Sequence, residues 1–184
     1  MFINIKKYFK QKYEKGFTLI EALVAVMVIT IGITPALYTA VSATLLSENI
    51  ENNLIAAQLV QEGIEIVRSM RDRNRLLCTD FSTGLLGTSI VDWSTDWVVC
   101  GSRDLTDAGS TPARLNIDAS GRYGYASGTQ TKFTRTVTVT QVVANVELRV
   151  VSTVYWSART TKAGCPTGTQ CVTAESHLYN WMQP

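Results

Sequence analysis

From Phe17 to Ser47 the chain carries a single charged side chain, Glu21. The stretch contains Leu19, Ile20, the run Ala22–Ile29, Ile31, Ile33, Leu37, Val41, Leu45 and Leu46. It is longer than the ~20 residues a helix needs to cross a bilayer. Lys6, Lys7, Lys10, Lys12 and Lys15 precede it and no basic residue follows closely. The positive-inside rule therefore predicts residues 1–16 in the cytoplasm and the rest outside. Gly32 and Pro35 interrupt the run. A proline removes one backbone donor and crowds the preceding turn, which predicts a kink or a locally melted stretch near Gly32–Pro35.

The lysines also explain the charge. Residues 1–16 hold five lysines against Glu14, a net +4, while the remaining 12 basic and 14 acidic residues sum to −2. The basic part is a short head. No basic, aromatic-interleaved patch follows, so no nucleic-acid partner is expected. A chain of 184 residues has room for one domain and an N-terminal appendage.

Beyond the run the helical pattern continues in a polar register. Ile50, Leu54, Ala57, Ile64 and Val67 recur at three- and four-residue spacings, with Glu48, Glu51, Glu62, Glu65, Arg68 and Arg71 mostly off that stripe. Glu65 to Arg68 and Arg68 to Asp72 are spacings that allow weak ion pairs. The reading is one helix ending near Asn74, roughly 85 Å long at 1.5 Å per residue. Its amphipathic half needs a sheet to cover its stripe.

Residues 76–130 lack period. Gly, Ser, Thr and Asp are frequent, and Asp118–Gly121 and Gly124–Gly128 read as turns around a short strand. This region is expected to be a long loop with small strand pieces. After it the period becomes two. Val137 and Val139 alternate with Thr136, Thr138 and Thr140. Val146, Leu148, Val150, Val154 and Trp156 share a face, as do Val172, Ala174 and Leu178. Three antiparallel strands follow, with a turn at Ala144-Asn145 and a longer loop over Ser157–Gln170. The expected fold is α+β, a long N-terminal helix packed on a C-terminal sheet of about three strands. The expected segments are a leader (1–16), a transmembrane part (17–46), an amphipathic continuation (47–75), the irregular region (76–130) and the sheet (131–184).

The stretch Lys15-Gly16-Phe17-Thr18-Leu19-Ile20-Glu21 carries the function. A secretory signal is cut after its apolar region. Here the glycine lies ahead of the run, and a lone carboxylate sits about one turn inside it, where an ionised acid costs about 2.5–3.5 kcal/mol by insertion scales. Glycine lets a protease approach the backbone closely. The stretch resembles the processing site of the type IV pilin family, which includes the type II secretion pseudopilins. The resemblance is close over residues 15–21 and continues as a general pattern through the apolar helix. It implies cleavage by a prepilin peptidase between Gly16 and Phe17, methylation of the Phe17 amine, and a role for Glu21 in filament assembly. It also implies other pilin subunits, the inner-membrane assembly machinery and membrane lipid as partners. Within the family the chain looks most like a minor pilin. A type II secretion pseudopilin is the alternative, and a membrane-anchored extracytoplasmic binding module a more distant one. Localisation follows: a single-pass inner-membrane protein with its N-terminus in the cytoplasm, then a filament outside.

Cys78, Cys100, Cys165 and Cys171 all follow the apolar run, which suits an oxidising compartment. Four cysteines allow three pairings. Pro166–Gln170 is a short turn-forming loop, which favours Cys165–Cys171, leaving Cys78–Cys100. No C-x-x-C pair is present and His177 is the single histidine, so neither a metal site nor a catalytic triad is expected. Asp92, Asp96, Asp104 and Asp107 do not match an EF-hand spacing, and Gly121-Arg-Tyr-Gly lacks the setting of a phosphate loop. Trp93, Trp97, Trp156 and Trp181 read as packing residues. The expected product is a structural subunit without cofactor or catalytic residues.

Overall fold

The computed structural model describes residues 16–77, 80–93, 106–109, 111–158 and 161–181. It divides into two units between Glu48 and Asn49. Helix α1 (Leu19–Leu77) supplies all the described secondary structure of the first unit and opens the second.

In the first unit nearly every side chain is exposed, Leu19 at 80% and Met27 at 63% among them. The helix runs through Gly32 and Pro35 without a break, so the expected melted stretch is absent. One missing hydrogen bond does not unravel a helix bonded on both sides of it. The hydroxyls of Thr30, Thr34, Thr39 and Thr44 each donate to a backbone carbonyl three or four residues earlier, at 2.7–2.9 Å. These hydroxyls are thereby satisfied inside the helix and suit an apolar surrounding.

In the second unit α1 lies on an antiparallel sheet. Three long strands carry it: β5 (Thr129–Val143), β6 (Glu147–Ser157) and β7 (Thr169–Tyr179). These are the three read from the period-two pattern. Asn145, at φ 57°, makes the β5–β6 turn in the left-handed region. Four short strands join them: β1 (Gly87–Ile90), β2 (Thr106–Asp107), β3 (Arg114–Ile117) and β4 (Tyr123–Gly124). β6 covers one edge of β5. β1 and β3 share the other, end to end, with β2 on β1 and β4 on β3. Among the described residues the sheet thus has seven strands, the three expected long ones and four short pieces from the region expected to be a loop with small strand pieces, recruited by the free edge of β5. Strands of two to four residues leave no alternation to read.

The helix stripe matches the expected one at Ile64 and Val67 and differs from it at Ile50 and Leu54. Ala56, Leu59, Val60, Gly63, Ile64, Val67 and Met70 face the sheet, whereas Ile50 and Leu54 stay 52% and 61% exposed. At 3.6 residues per turn these two lie on the opposite side of the helix from Ala56 and Gly63. Two apolar clusters form the core. Val67, Met70, Phe81, Leu85, Val139 and Leu148 belong to one; Ala56, Leu59, Leu115, Phe133, Val154 and Trp156 to the other. The rings of Phe133 and Trp156 meet edge to face, 5.7 Å apart.

Between the clusters sits Arg135, fully buried. Its Nη1 donates to Leu59 O at 3.1 Å and to Glu62 Oε2 at 2.8 Å, and its Nη2 to Val91 O. The arginine thus joins α1, β5 and the segment after β1. Tyr125 donates its hydroxyl to Arg135 O at 3.3 Å, and burial pushes that phenol up to about 12. Glu65 pairs with Arg68 as expected, at 2.5 Å, but Asp72 pairs with Arg71 rather than Arg68, at 2.7 Å. The helix extends to Leu77, just past Asn74, whose Nδ2 donates to Thr83 O at 2.7 Å and ties the helix end to the following turn.

Candidate functional site: the start of α1

Gly16, Phe17 and Thr18 precede the first helical residue, Leu19, and all three are exposed. Lys15 lies outside the described residues. Nothing stands within 4 Å of where a Gly16 Cβ would be, and its φ is not in the left-handed region. Among the described residues neither close packing nor backbone strain requires glycine there.

Thr18 caps the helix. Its carbonyl accepts the Glu21 and Ala22 amides at 3.1 and 3.2 Å, and its Oγ1 lies 3.3 Å from the Glu21 nitrogen. Thr18 and Glu21 are the first and last residues of a T-x-x-E capping pattern, in which the N-cap hydroxyl takes the N–H of the third helical residue. The pattern is local and legible in the sequence. It places the Glu21 carboxylate in the first turn, where the helix dipole is positive. Behind it, α1 is long and apolar enough to cross a membrane, and none of its most apolar stretch is buried. So large an exposed apolar surface is a lipid or protein contact surface.

The other sequence candidates are scattered. Cys165 and Cys171 are joined in a disulfide with Cα atoms 5.6 Å apart. The proposed Cys78–Cys100 pair lies outside the described residues, as do Trp97, Asp96 and Asp104. Asp92 is buried and accepts the Tyr125 amide at 2.8 Å, while Asp107 accepts the Gly109 amide at 3.0 Å. Among the described residues no three His, Cys, Asp or Glu side chains converge on a metal position. Gly121 occupies a left-handed turn position at φ 79°. Trp93 stacks under Arg122, 4.0 Å from ring centre to guanidinium, and Trp156 is core. His177 is on the outer face of β7, between Glu147 and Glu175. Arg135 escaped the sequence reading because a charged residue at an inward register position gives no apolar signal.

Residues 11–37 match the family model described as the prokaryotic N-terminal methylation motif. Neither a curated protein nor a solved structure matches the chain. The motif indicates a structural subunit rather than an enzyme, one processed by a peptidase and assembled with other pilin subunits, and the apolar helix suggests a single-pass membrane anchor. The methylation motif, borne on a long apolar helix whose second half packs on an antiparallel sheet, supports a type IV pilin-like family for this protein.

Proposed function

We propose that the chain is a minor pilin: a subunit cut between Gly16 and Phe17, methylated on the Phe17 amine, and built into a type IV pilus-like filament through α1. The observation that carries this reading is the pairing of a bare apolar helix with one carboxylate, Glu21, in its first turn. Before assembly, residues 17–46 span the inner membrane with the leader in the cytoplasm, and residues 47–184 face outward. In the filament, Glu21 meets the freed amine of Phe17 on a neighbouring subunit. An apolar surrounding makes the paired charges far better than either alone. The partners are the prepilin peptidase, other pilin subunits, the assembly machinery and lipid. Intact-mass analysis of protein from the native host tests the processing step. A methylated chain starting at Phe17 is expected; a chain that retains residues 1–16, or one cut after residue 40, refutes the proposal.

A further inference from the structure

On the sheet face turned away from α1, the β6–β7 register gathers Glu147, Arg149, Glu175, His177 and Tyr179. His177 Nδ1 lies 2.5 Å from Glu147 Oε1, and its Nε2 lies 3.1 Å from Glu175 Oε1. A neutral imidazole has one N–H, so only the imidazolium donates to both carboxylates at once. The carboxylates are held from elsewhere as well. Arg149 Nε and Nη2 donate to the two oxygens of Glu175, each at 2.6 Å, and Tyr179 hydrogen-bonds Glu147. These are the charged and titratable groups that face the ring: Glu147 and Arg149 from β6, Glu175 and Tyr179 from β7.

The cluster sits on an edge strand, since among the described residues β7 pairs with β6 alone. The Ala158 amide donates to Gly168 O and the Asn180 amide to Val146 O. These two bonds set the parity of the ladder. Even-numbered residues of β7 bond to β6, and odd-numbered ones turn their backbone groups to the open edge. The outward carbonyls of Thr169 and Cys171 accept from the Lys162 backbone nitrogen and Nζ, and that of Tyr179 accepts from Arg71 Nη1. Both ends of the edge are therefore closed, and the stretch from Thr173 to His177 is held from the β6 side.

We propose that His177 is a proton-operated clasp on this edge: charged, it donates across to Glu147 at the start of β6 and along β7 to Glu175, whose carboxylate Arg149 of β6 also holds, and neutral, it gives up one of the two and loosens the C-terminal half of β7. The loosened edge presents unpaired backbone to any neighbouring strand, so external pH sets how firmly the sheet is closed. Hydrogen bonds to Glu147 and Glu175 raise the imidazole above its ordinary 6.5, and Arg149 above all holds Glu175 down at about 2. For the raised histidine, the stabilisation is whole below pH 6.5 and is lost as pH climbs through the folded value. For the lowered acid, it is whole above 4.5 and lost as pH falls toward about 2. The clasp is complete from pH 4.5 to 6.5 and opens on the alkaline side.

His177 is the only histidine, so one imidazole resonance reports it in the full chain in detergent micelles. Its midpoint is expected above 6.5, moving back toward 6.5 in Glu147→Gln and Glu175→Gln. Amide exchange, corrected for the intrinsic rate, reads the release. Ser176 and Leu178 should lose protection several-fold relative to Val172 as pH passes the midpoint, and His177→Gln should abolish that pH dependence. A wild-type midpoint at or below 6.5 overturns the clasp, and so does a Ser176 and Leu178 protection that stays constant across the midpoint.

Discussion

The Arg135 guanidinium donates to Glu62 Oε2 at 2.8 Å, with the arginine side chain wholly buried and the glutamate one-third exposed. This asymmetry orders two mutants. Glu62→Gln keeps a carbonyl acceptor in a partly wet position, so unfolding stability should fall by about 1 kcal/mol. Arg135→Ala strands the Leu59 and Val91 carbonyls and leaves a void between the two core clusters, so about 3–5 kcal/mol is expected. Thermal unfolding in detergent compares them; equal losses would show that the buried bonds of Arg135 carry no weight.

Gly63→Ala should destabilise. In an exposed helix this exchange gains about 1 kcal/mol. Here the added methyl would stand 2.6 Å from Ser152 Oγ and 3.1 Å from Val137 Cγ2. The overpacking cost of about 1–3 kcal/mol outweighs the propensity gain. Ser152→Ala removes a buried hydroxyl that has no hydrogen-bond partner among the described residues, so combining it with Gly63→Ala should recover part of the loss. A Gly63→Ala protein as stable as the parent would mean that α1 lies farther from β6.

Replacing Cys165 and Cys171 by serine opens a short loop beside β7. The loop-entropy relation puts the loss at about 2 kcal/mol. Because Cys171 is on β7, early exchange of the Thr169–Val172 amides is the expected local sign. Peptide mapping without reductant that recovers either cysteine as a free thiol would remove the basis for the estimate.

Glu21→Leu should insert in the membrane and be cleaved, yet fail to enter filaments. The leucine suits the apolar segment, and the proposed processing site lies about one turn away. In the assembled state it leaves a neighbour's amine unpaired, a loss of a few kcal/mol per contact. Glu21→Asp keeps the charge with a shorter reach and should be partly defective. Membrane and sheared-filament fractions distinguish the outcomes; normal recovery of Glu21→Leu in filaments would rule out Glu21 as an assembly residue.

Local pattern alone determined the apolar helix after Phe17, the lone acid Glu21, the three long strands and the turn at Asn145. Each is written in neighbouring residues: an unbroken apolar run, a period of two, a residue that tolerates positive φ. The T-x-x-E cap at Thr18 was equally local. Tertiary structure alone decided the phase of the helix stripe, because Ile50 and Leu54 are as apolar as Leu59 and Val60, and only the position of the sheet selects between them. It also decided that Thr88 and Arg114 lie in strands, since the free edge of the long β5 supplies partners that their own short segments do not announce. Burial of Arg135 was settled in the same way. Its acceptors, Leu59 O, Glu62 and Val91 O, come from segments distant in the chain, and a charge becomes tolerable in a core only once they converge on it.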